Sequence, residues 1–238
     1  MTTFFRSDAD LYFPDSDGKP MADNTEQFKW IVLIKENLEI LFANDPNVFV
    51  AGDLLWYPVK SRIISPVAPD VMVVFGRPKG RRGSYKQWQE DNISPQVVYE
   101  ILSPSNNLEE MERKLEFYQT YGVEEYYQYD PDRYELKGWL RQGEQLIPIA
   151  HIDGWTSPRL GVSFSIDNHE LIIYRPDGTP FLTPVELEQK AQQERLRAEQ
   201  ERLRAEQERL RAEETMQQLR DVETLLQKYR DRFGELDS

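Results

Sequence analysis

A single carboxylate, Glu100, lies inside the apolar run Gln96–Leu102. A continuous run of this kind is typical of a strand that is buried on both faces, in the middle of a parallel or mixed sheet. A carboxylate buried there is strongly destabilising unless it is paired with a cation or binds a metal. The run therefore predicts both an α/β fold and a special role for Glu100.

Two further charged residues extend this pattern. Asp70 comes directly before another apolar run, 71–75, and Lys114 follows on a predicted helix. Phosphodiester hydrolysis needs a divalent cation to offset developing charge and to acidify or position a water molecule. Magnesium prefers oxygen ligands and commonly takes one or two carboxylates. Asp70 and Glu100 would meet this need if their strands are neighbours, and Lys114 would orient the water or stabilise the transition-state charge.

The composition excludes several other classes of protein. The chain has no Cys and two His, so disulfides and thiolate zinc sites are excluded, and His151 and His169 are expected to be ordinary residues. No apolar run approaches the roughly 18 residues of a membrane span, and residues 1–6 lack the features of a signal peptide. We therefore expect a soluble, cytoplasmic protein without a membrane partner.

The charge distribution bears on nucleic-acid binding. A net charge of −13 argues against a broad electrostatic grip on nucleic acid. One acid-free segment is nevertheless basic and compatible with phosphate binding; its cations are Arg77, Lys79, Arg81, Arg82 and Lys86. A solvated loop is the alternative interpretation of this segment.

Alternating helical and strand patterns predict a mixed α/β domain over residues 1–183. A first helix is expected from about Asp23 to Phe42, with a buried stripe of Phe28, Ile31, Ile34, Leu38 and Leu41. A second helix should end near Tyr121, before Gly122, with a stripe of Leu108, Met111, Leu115 and Tyr118. Strands are expected at 47–51, 71–75, 96–102 and 125–130, in a hairpin over 133–149, and at 163–166 and 171–174. The tyrosines at 118, 126, 127 and 129 are expected in the core, and 77–93 is expected to be a polar connection.

Residues 184–238 form a second region with a different composition. A seven-residue repeat begins at Glu194 and contains neither Pro nor Gly, but it places only one Leu per heptad on its seam. Beyond it, apolar residues follow at alternating spacings of three and four: Leu219, Val222, Leu226, Tyr229 and Phe233. We expect one long, charged helix that forms a coiled coil near its end and makes the protein a homodimer; a solvated single helix is the alternative.

The candidate site residues also carry a family resemblance. Pro69-Asp70, the segment 97–105 around Glu100, Lys114–Tyr118 and Gly122–Tyr126 together resemble the Uma family of endonucleases, within the restriction-endonuclease-like PD-(D/E)XK superfamily. The resemblance covers roughly residues 25–180. It implies a mixed central sheet flanked by helices, with Asp70 and Glu100 as ligands of Mg²⁺ (or Mn²⁺) and Lys114 as the catalytic lysine.

The sequence departs from the superfamily pattern at one position. The lysine expected two residues after Glu100 is replaced by Leu102, and Lys114 on the next helix fits the arrangement of the Uma family. Glu110 stands where family members usually carry an Asp, and Asp53 is a weaker candidate ligand. The resemblance implies an endonuclease that acts on nucleic acid, with DNA as the expected substrate.

Three other interpretations remain open from the residues alone. In the first, Glu100 and Lys114 form a buried ion pair without chemistry, in a nuclease-like scaffold that acts through its helical tail. In the second, Asp70 is a turn residue at a strand edge. A glycosidase with paired carboxylates is a third interpretation, although a sugar cleft does not call for the lysine or for the basic segment.

Overall fold

The structure is a computed structural model that describes residues 13–18, 20–168 and 170–234, without the side chain of Phe233. His169 and residues 1–6, which figured in the sequence analysis, lie outside the described residues. Contacts between Cα atoms divide the chain into two compact units, Met1–Pro184 and Val185–Ser238.

The first unit contains strands of both orientations and two flanking helices. The helices are α1 (Thr25–Leu41) and α2 (Leu108–Thr120). The strands are β1 (Val48–Gly52), β2 (Trp56–Tyr57), β3 (Val71–Phe75), β4 (Tyr85–Lys86), β5 (Val97–Ile101), β6 (Glu125–Asp130), β7 (Glu135–Gln142), β8 (Gln145–Pro148), β9 (Ser163–Asp167) and β10 (Glu170–Tyr174).

The central sheet has six strands in the order β1-β3-β5-β6-β7-β8. Only β5 and β6 pair in parallel among these neighbours, and α2 is the crossover between them. Parallel neighbours need such a crossover because the last residue of one strand and the first residue of the next lie at opposite ends of the strands. The predicted mixed sheet with flanking helices is confirmed. Strands β9 and β10, expected from their apolar runs, form a hairpin of their own outside this sheet.

The two faces of the sheet pack against different elements. Val71, Val73, Val97 and Tyr99 belong to the cluster that contains α1 and the β9–β10 hairpin. Their alternate neighbours Met72, Val74 and Val98 belong to the cluster that contains Tyr118 of α2. Side chains alternate between the faces of a strand, so Glu100 is on the α2 face.

Helix α1 buries a stripe that is rotated from the predicted one. Asn24 caps the helix by accepting a hydrogen bond from the Gln27 N–H. Phe28, expected in the core, is 48% exposed, whereas Gln27 is buried and donates to the carbonyl of Ile101 at 2.9 Å. Gln27 is seven residues, almost two full turns, from Ile34, the centre of the stripe, whereas Phe28 is six residues away on the flank. Gln27, although polar, can occupy this buried position because the Ile101 carbonyl accepts a hydrogen bond from its side chain.

Helix α2 has defined ends. The Asn107 side chain accepts a hydrogen bond from the Glu110 N–H at 2.9 Å, and Gly122 follows the helix with a φ of +89°. A positive φ is costly for residues with a Cβ, so Gly122 suits this position. Met111 and Tyr118 are buried as predicted, but Leu108, in the first turn, is 75% exposed.

The segment 77–93, predicted as a polar connection, contains short regular elements. Strand β4 pairs in parallel with β2, and residues 87–89 form one turn of 3-10 helix. The buried ring of Tyr85 stacks on Phe49 and its hydroxyl donates to the carbonyl of Ile93, so an aromatic residue anchors this polar segment.

The second unit contains α3 (Pro184–Phe233), a helix of 50 residues. The long helix expected from the repeat is therefore present, and the described side chains from 192 to 232 are exposed. No helix within the described ranges is both long and apolar enough to cross a membrane.

One buried amide joins α1 to the end of the first unit. Asn37 is fully buried, and its Nδ2 donates to the carbonyls of Leu33 and Leu182 at 2.8 Å. Its Oδ1 accepts from Arg175 at 2.7 Å and from the Leu182 N–H at 3.2 Å. A polar group left buried without its partner costs about 1–3 kcal/mol.

We therefore expect Asn37→Ala to lower the free energy of unfolding by about 2–3 kcal/mol, because several buried groups lose their partner. Urea denaturation followed by circular dichroism measures the change. Glu36→Ala, on the half-exposed side of the same helix, is the matched control and should stay within about 0.5 kcal/mol of the wild type. Equal losses in the two variants would contradict the role given to Asn37.

Candidate active site

The pairing of β3 with β5 brings the two predicted acids together. These strands are antiparallel, with Val71 opposite Tyr99 and Met72 opposite Val98. Continued by one residue, this register sets Asp70 opposite Glu100. The Ile101 N–H donates to Asp70 Oδ2 at 2.6 Å, which ties the carboxylate to the neighbouring strand. Both acids are buried.

Helix α2 supplies two donors to Glu100. Lys114 Nζ donates to Glu100 Oε2 at 2.7 Å, and the Tyr118 hydroxyl donates to Oε1 in a short contact. Residues four apart lie on one face of a helix, so both donors reach the sheet from the same side. Glu100 itself is 2% exposed. The structure thus brings Asp70, Glu100 and Lys114 together at one end of the sheet.

Burial and mutual repulsion dominate the electrostatics of the site. Burial, together with the charge of Glu100, holds the pKa of Asp70 well above its usual range, while Lys114 acts in the opposite direction. Burial alone would lower the pKa of Lys114, but the Glu100 carboxylate raises it above its ordinary value. Lys114 is therefore a protonated donor at neutral pH rather than a general base.

Asp53 lies close to this group. It follows β1 with a φ of +47°, and its N–H donates to the carbonyls of Pro69 at 3.1 Å and Asp70 at 3.2 Å. Burial raises the pKa of Asp53, and the charges of Asp17 and Glu100 add to the effect. Among the residues that the structure describes, however, no group of three or more Asp, Glu or His side chains has the arrangement of a metal site.

The site opens on a cavity of about 780 Å³. Asp53, Asp70, Glu110 and Lys114 line it on one side, together with apolar residues of the segment between β2 and β3. Glu110 is one turn before Lys114 on α2, and its carboxylate accepts a long hydrogen bond of 3.4 Å from Asn106. The cavity gives a substrate access to Asp70 and Lys114.

The donor set fits a hydrated divalent cation better than a fully protein-enclosed one. A single lysine lies beside two adjacent carboxylates, and the pKa of Asp70 is raised first by burial and then by the charge of Glu100. Magnesium commonly takes one or two carboxylates and keeps several waters. The buried Tyr126 hydroxyl has no hydrogen-bond partner among the described residues, and burial, followed by the charges of Glu100 and Asp70, raises its pKa. A polar atom of this kind near the acids suits a site that holds water.

Most cations of the basic segment pair with acids that lie outside it in the sequence. Arg77 and Arg82 both pair with Glu90, Lys79 pairs with Glu39 at 3.3 Å, and Lys86 pairs with Asp15 at 3.4 Å. Arg82 also lies over the ring of Phe49. Only Arg81 of the five cations is exposed and without an ion pair among the described side chains. The segment's free charge is thus smaller than the sequence suggested.

Two tyrosines of the site escaped the sequence analysis as functional candidates. Tyr118 and Tyr126 are buried, which confirms that they belong to the core, but Tyr118 also binds Glu100. The spacing of Tyr118, four residues after Lys114, was the signal that could have identified it. No sequence signal marks Tyr126, because its proximity to the acids depends on how the strands pair.

Comparison with models of protein families gives a match over more than half of the chain. The model of the Uma2 family, described as "Putative restriction endonuclease", matches residues 31–167. The chain belongs to the Uma2 family. The resemblance drawn from Asp70, Glu100 and Lys114 is therefore confirmed at the level of the family, and with it a general assignment to the nucleases.

A solved structure similar to this Uma2 protein is that of "a putative nuclease belonging to DUF820 from Anabaena variabilis ATCC 29413". The identity is 14%, the alignment covers 61% of this chain and 81% of the other, and the TM-score is 0.46. Comparison with curated proteins finds no match.

The raised pKa of Asp70 yields a prediction about stability. A buried carboxyl whose folded-state pKa is raised destabilises the fold as the pH rises from its unfolded to its folded pKa. Asp70→Asn removes that charge and keeps an oxygen for the Ile101 N–H. In EDTA at neutral pH we expect Tm to rise by at least about 2 °C, the shift that about 1 kcal/mol produces in a domain of this size.

Thermal unfolding across a pH series gives the test. The difference in Tm between Asp70→Asn and the wild type should vanish below the ordinary carboxyl pKa, where both side chains are neutral, and should grow as the pH rises. Asp45→Asn, at an exposed turn, is the control. An Asp70→Asn variant that is less stable than the wild type at neutral pH would contradict the description of this site.

Proposed function

We propose that this protein is a metal-dependent endonuclease that hydrolyses phosphodiester bonds of DNA. The observation that carries the proposal is the convergence of Asp70, Glu100 and Lys114, two of which, Asp70 and Lys114, line an open cavity. Asp70 and Glu100 would hold Mg²⁺, with Mn²⁺ as a substitute. When bound, the cation supplies positive charge at the phosphate and acidifies the attacking water.

The protein's own residues have separate tasks in this proposal. Lys114, kept protonated by Glu100, donates hydrogen bonds and offsets negative charge that develops on the phosphate. Tyr118 is a positioning residue, because it fixes the Glu100 carboxylate without lining the cavity. The Ile101 N–H fixes the other carboxylate. The acids are thereby oriented before substrate arrives, which lowers the cost of organising the site.

The test is nicking of supercoiled plasmid DNA in Mg²⁺ or Mn²⁺ by the wild type, Glu100→Gln and Asp70→Asn. We expect cleavage by the wild type and a loss of at least about 100-fold in either variant, since each removes a charged metal ligand. Circular dichroism establishes that the variants are folded, and Glu125→Gln, a buried acid in a different network, controls for the loss of a buried charge. Full activity in Glu100→Gln or Asp70→Asn would remove the site assignment. Absence of cleavage by the wild type under both metals would favour the scaffold interpretation.

The tail, residues 184–238, is proposed as a separate domain that pairs two copies of the chain. Leu219, Val222, Leu226 and Tyr229 follow one another at spacings of three and four along α3, and all four are more than half exposed. Such a stripe matches the seam of a coiled coil, in which a second helix covers the a and d positions. A homodimer would bring two active sites into one particle.

Val222→Glu combined with Leu226→Glu should convert the full-length dimer to a monomer, because each substitution places a charge in the seam. Light scattering coupled to size exclusion measures the mass. The paired control, Glu223→Gln with Gln227→Glu, moves one negative charge by a turn along a neighbouring face of the helix without altering the net charge, and should keep the dimer. A wild type that elutes as a monomer would contradict the proposed pairing.

A further inference from the structure

The cavity beside Asp70 has a projecting wall, which we name the rim loop: residues 58–68, between β2 and β3. Its base is closed by two hydrogen bonds, from the Trp56 N–H to the Val67 carbonyl at 2.8 Å and from the Val67 N–H to the Trp56 carbonyl at 3.3 Å. Trp56 is fully buried. The rim loop therefore projects from a fixed base rather than from a mobile connection.

The tip of the rim loop presents an apolar side chain to solvent. Ile63 is 91% exposed, the highest value among the large hydrophobic side chains that the structure describes. An isolated exposed apolar residue is ordinary on a protein surface, but Ile63 and Ile64 also line the cavity that contains Asp70 and Lys114. The exposed tip is thus at the mouth of the candidate active site.

The charge of the rim loop is that of a phosphate-binding element. No acidic residue occurs between Asp53 and Asp70, whereas Lys60 and Arg62 both do. Arg62, next to Ile63, is exposed. The rim loop thus carries an exposed cation, Arg62, next in sequence to Ile63, which lines the cavity.

We propose that the rim loop engages duplex DNA, with Ile63 inserted between stacked bases and Arg62 against a backbone phosphate. This inference rests on the proposed endonuclease function and names residues outside its site that would contact the duplex. Apolar side chains that project from a protein are used in this way to unstack a base step. A protein partner fits less well, because a standard protein interface buries about 800 Å² on each side, far more than one projecting side chain provides.

The experiment measures binding of full-length protein to a fluorescein-labelled 30-base-pair DNA duplex by anisotropy, with Ca²⁺ in place of Mg²⁺. Ile63→Ala should weaken binding at least about tenfold, the change that about 1.4 kcal/mol produces. Leu108→Ala is the matched control: Leu108 is also highly exposed, but it lines a different cavity, on the other side of α2. The Leu108→Ala variant should bind the duplex with the affinity of the wild type.

Two further readouts separate insertion from electrostatic contact. A 2-aminopurine base in the duplex should brighten on binding the wild type, because unstacking relieves its quenching, and Ile63→Ala should abolish the increase. Arg62→Ala should instead reduce the slope of log affinity against log salt by about one, the change expected for one lost phosphate contact. Ile63→Ala should leave that slope unchanged.

The outcomes distinguish this inference from the function on which it rests. Plasmid nicking by the wild type, with equal duplex affinity in Ile63→Ala and the wild type, would overturn the role of the rim loop and leave the nuclease proposal intact. An Ile63→Ala variant with unchanged DNA affinity but altered mass by light scattering would show that the tip contacts protein instead. A wild type that neither binds nor nicks DNA would overturn both proposals.

Discussion

The compensation of one buried charge organises the α2 face of the central sheet. Glu100 is in the central strand of the sheet, where an ionised carboxylate is stable only with donors close by. Helix α2 provides them, because Lys114 and Tyr118 reach one oxygen each. The position of α2 on the sheet, the cap at Asn107 and the turn at Gly122 all serve this contact. These donors fix the carboxylate of Glu100, which the register of β3 and β5 sets opposite Asp70.

Compensation at the site is nevertheless incomplete. One lysine faces two adjacent carboxylates, and burial, followed by the charge of Glu100, raises the pKa of Asp70 in spite of Lys114. A protein selected for stability alone would replace one of the acids, since functional sites commonly cost stability. The separate network around Glu125 supplies more donors to its carboxylate: the Tyr127 and Ser157 hydroxyls and the Arg159 N–H. Membership of the Uma2 family is consistent with a functional reason for the excess charge beside Glu100.

Strands and helices that follow from a local pattern of apolar residues were predictable from the sequence. Side-chain positions that depend on contacts between distant residues were not. The apolar runs around Glu100 and Asp70 located β5 and β3, and the register of these strands confirmed that the two residues are neighbours. Phe28 was misplaced because a distant carbonyl, that of Ile101, makes Gln27 the better buried residue. The pairing of the basic segment 77–86 could not be predicted locally, because two of its acidic partners, Glu39 and Asp15, lie far away in the sequence. The exposed tip at Ile63 has no periodic signal at all.

The sequence separations within the site suggest an order of assembly. Glu100 and Lys114 are 14 residues apart, within one strand–helix–strand unit, whereas the bond between Asp70 and Ile101 closes 31 residues. Loop-closure entropy grows with length, by about 0.6 kcal/mol for each doubling. The lysine can therefore reach Glu100 while β3 is still unpaired. The buried charge of Glu100 can thus be compensated within the β5–α2 unit. Asp70 comes to lie beside it when β3 pairs with β5.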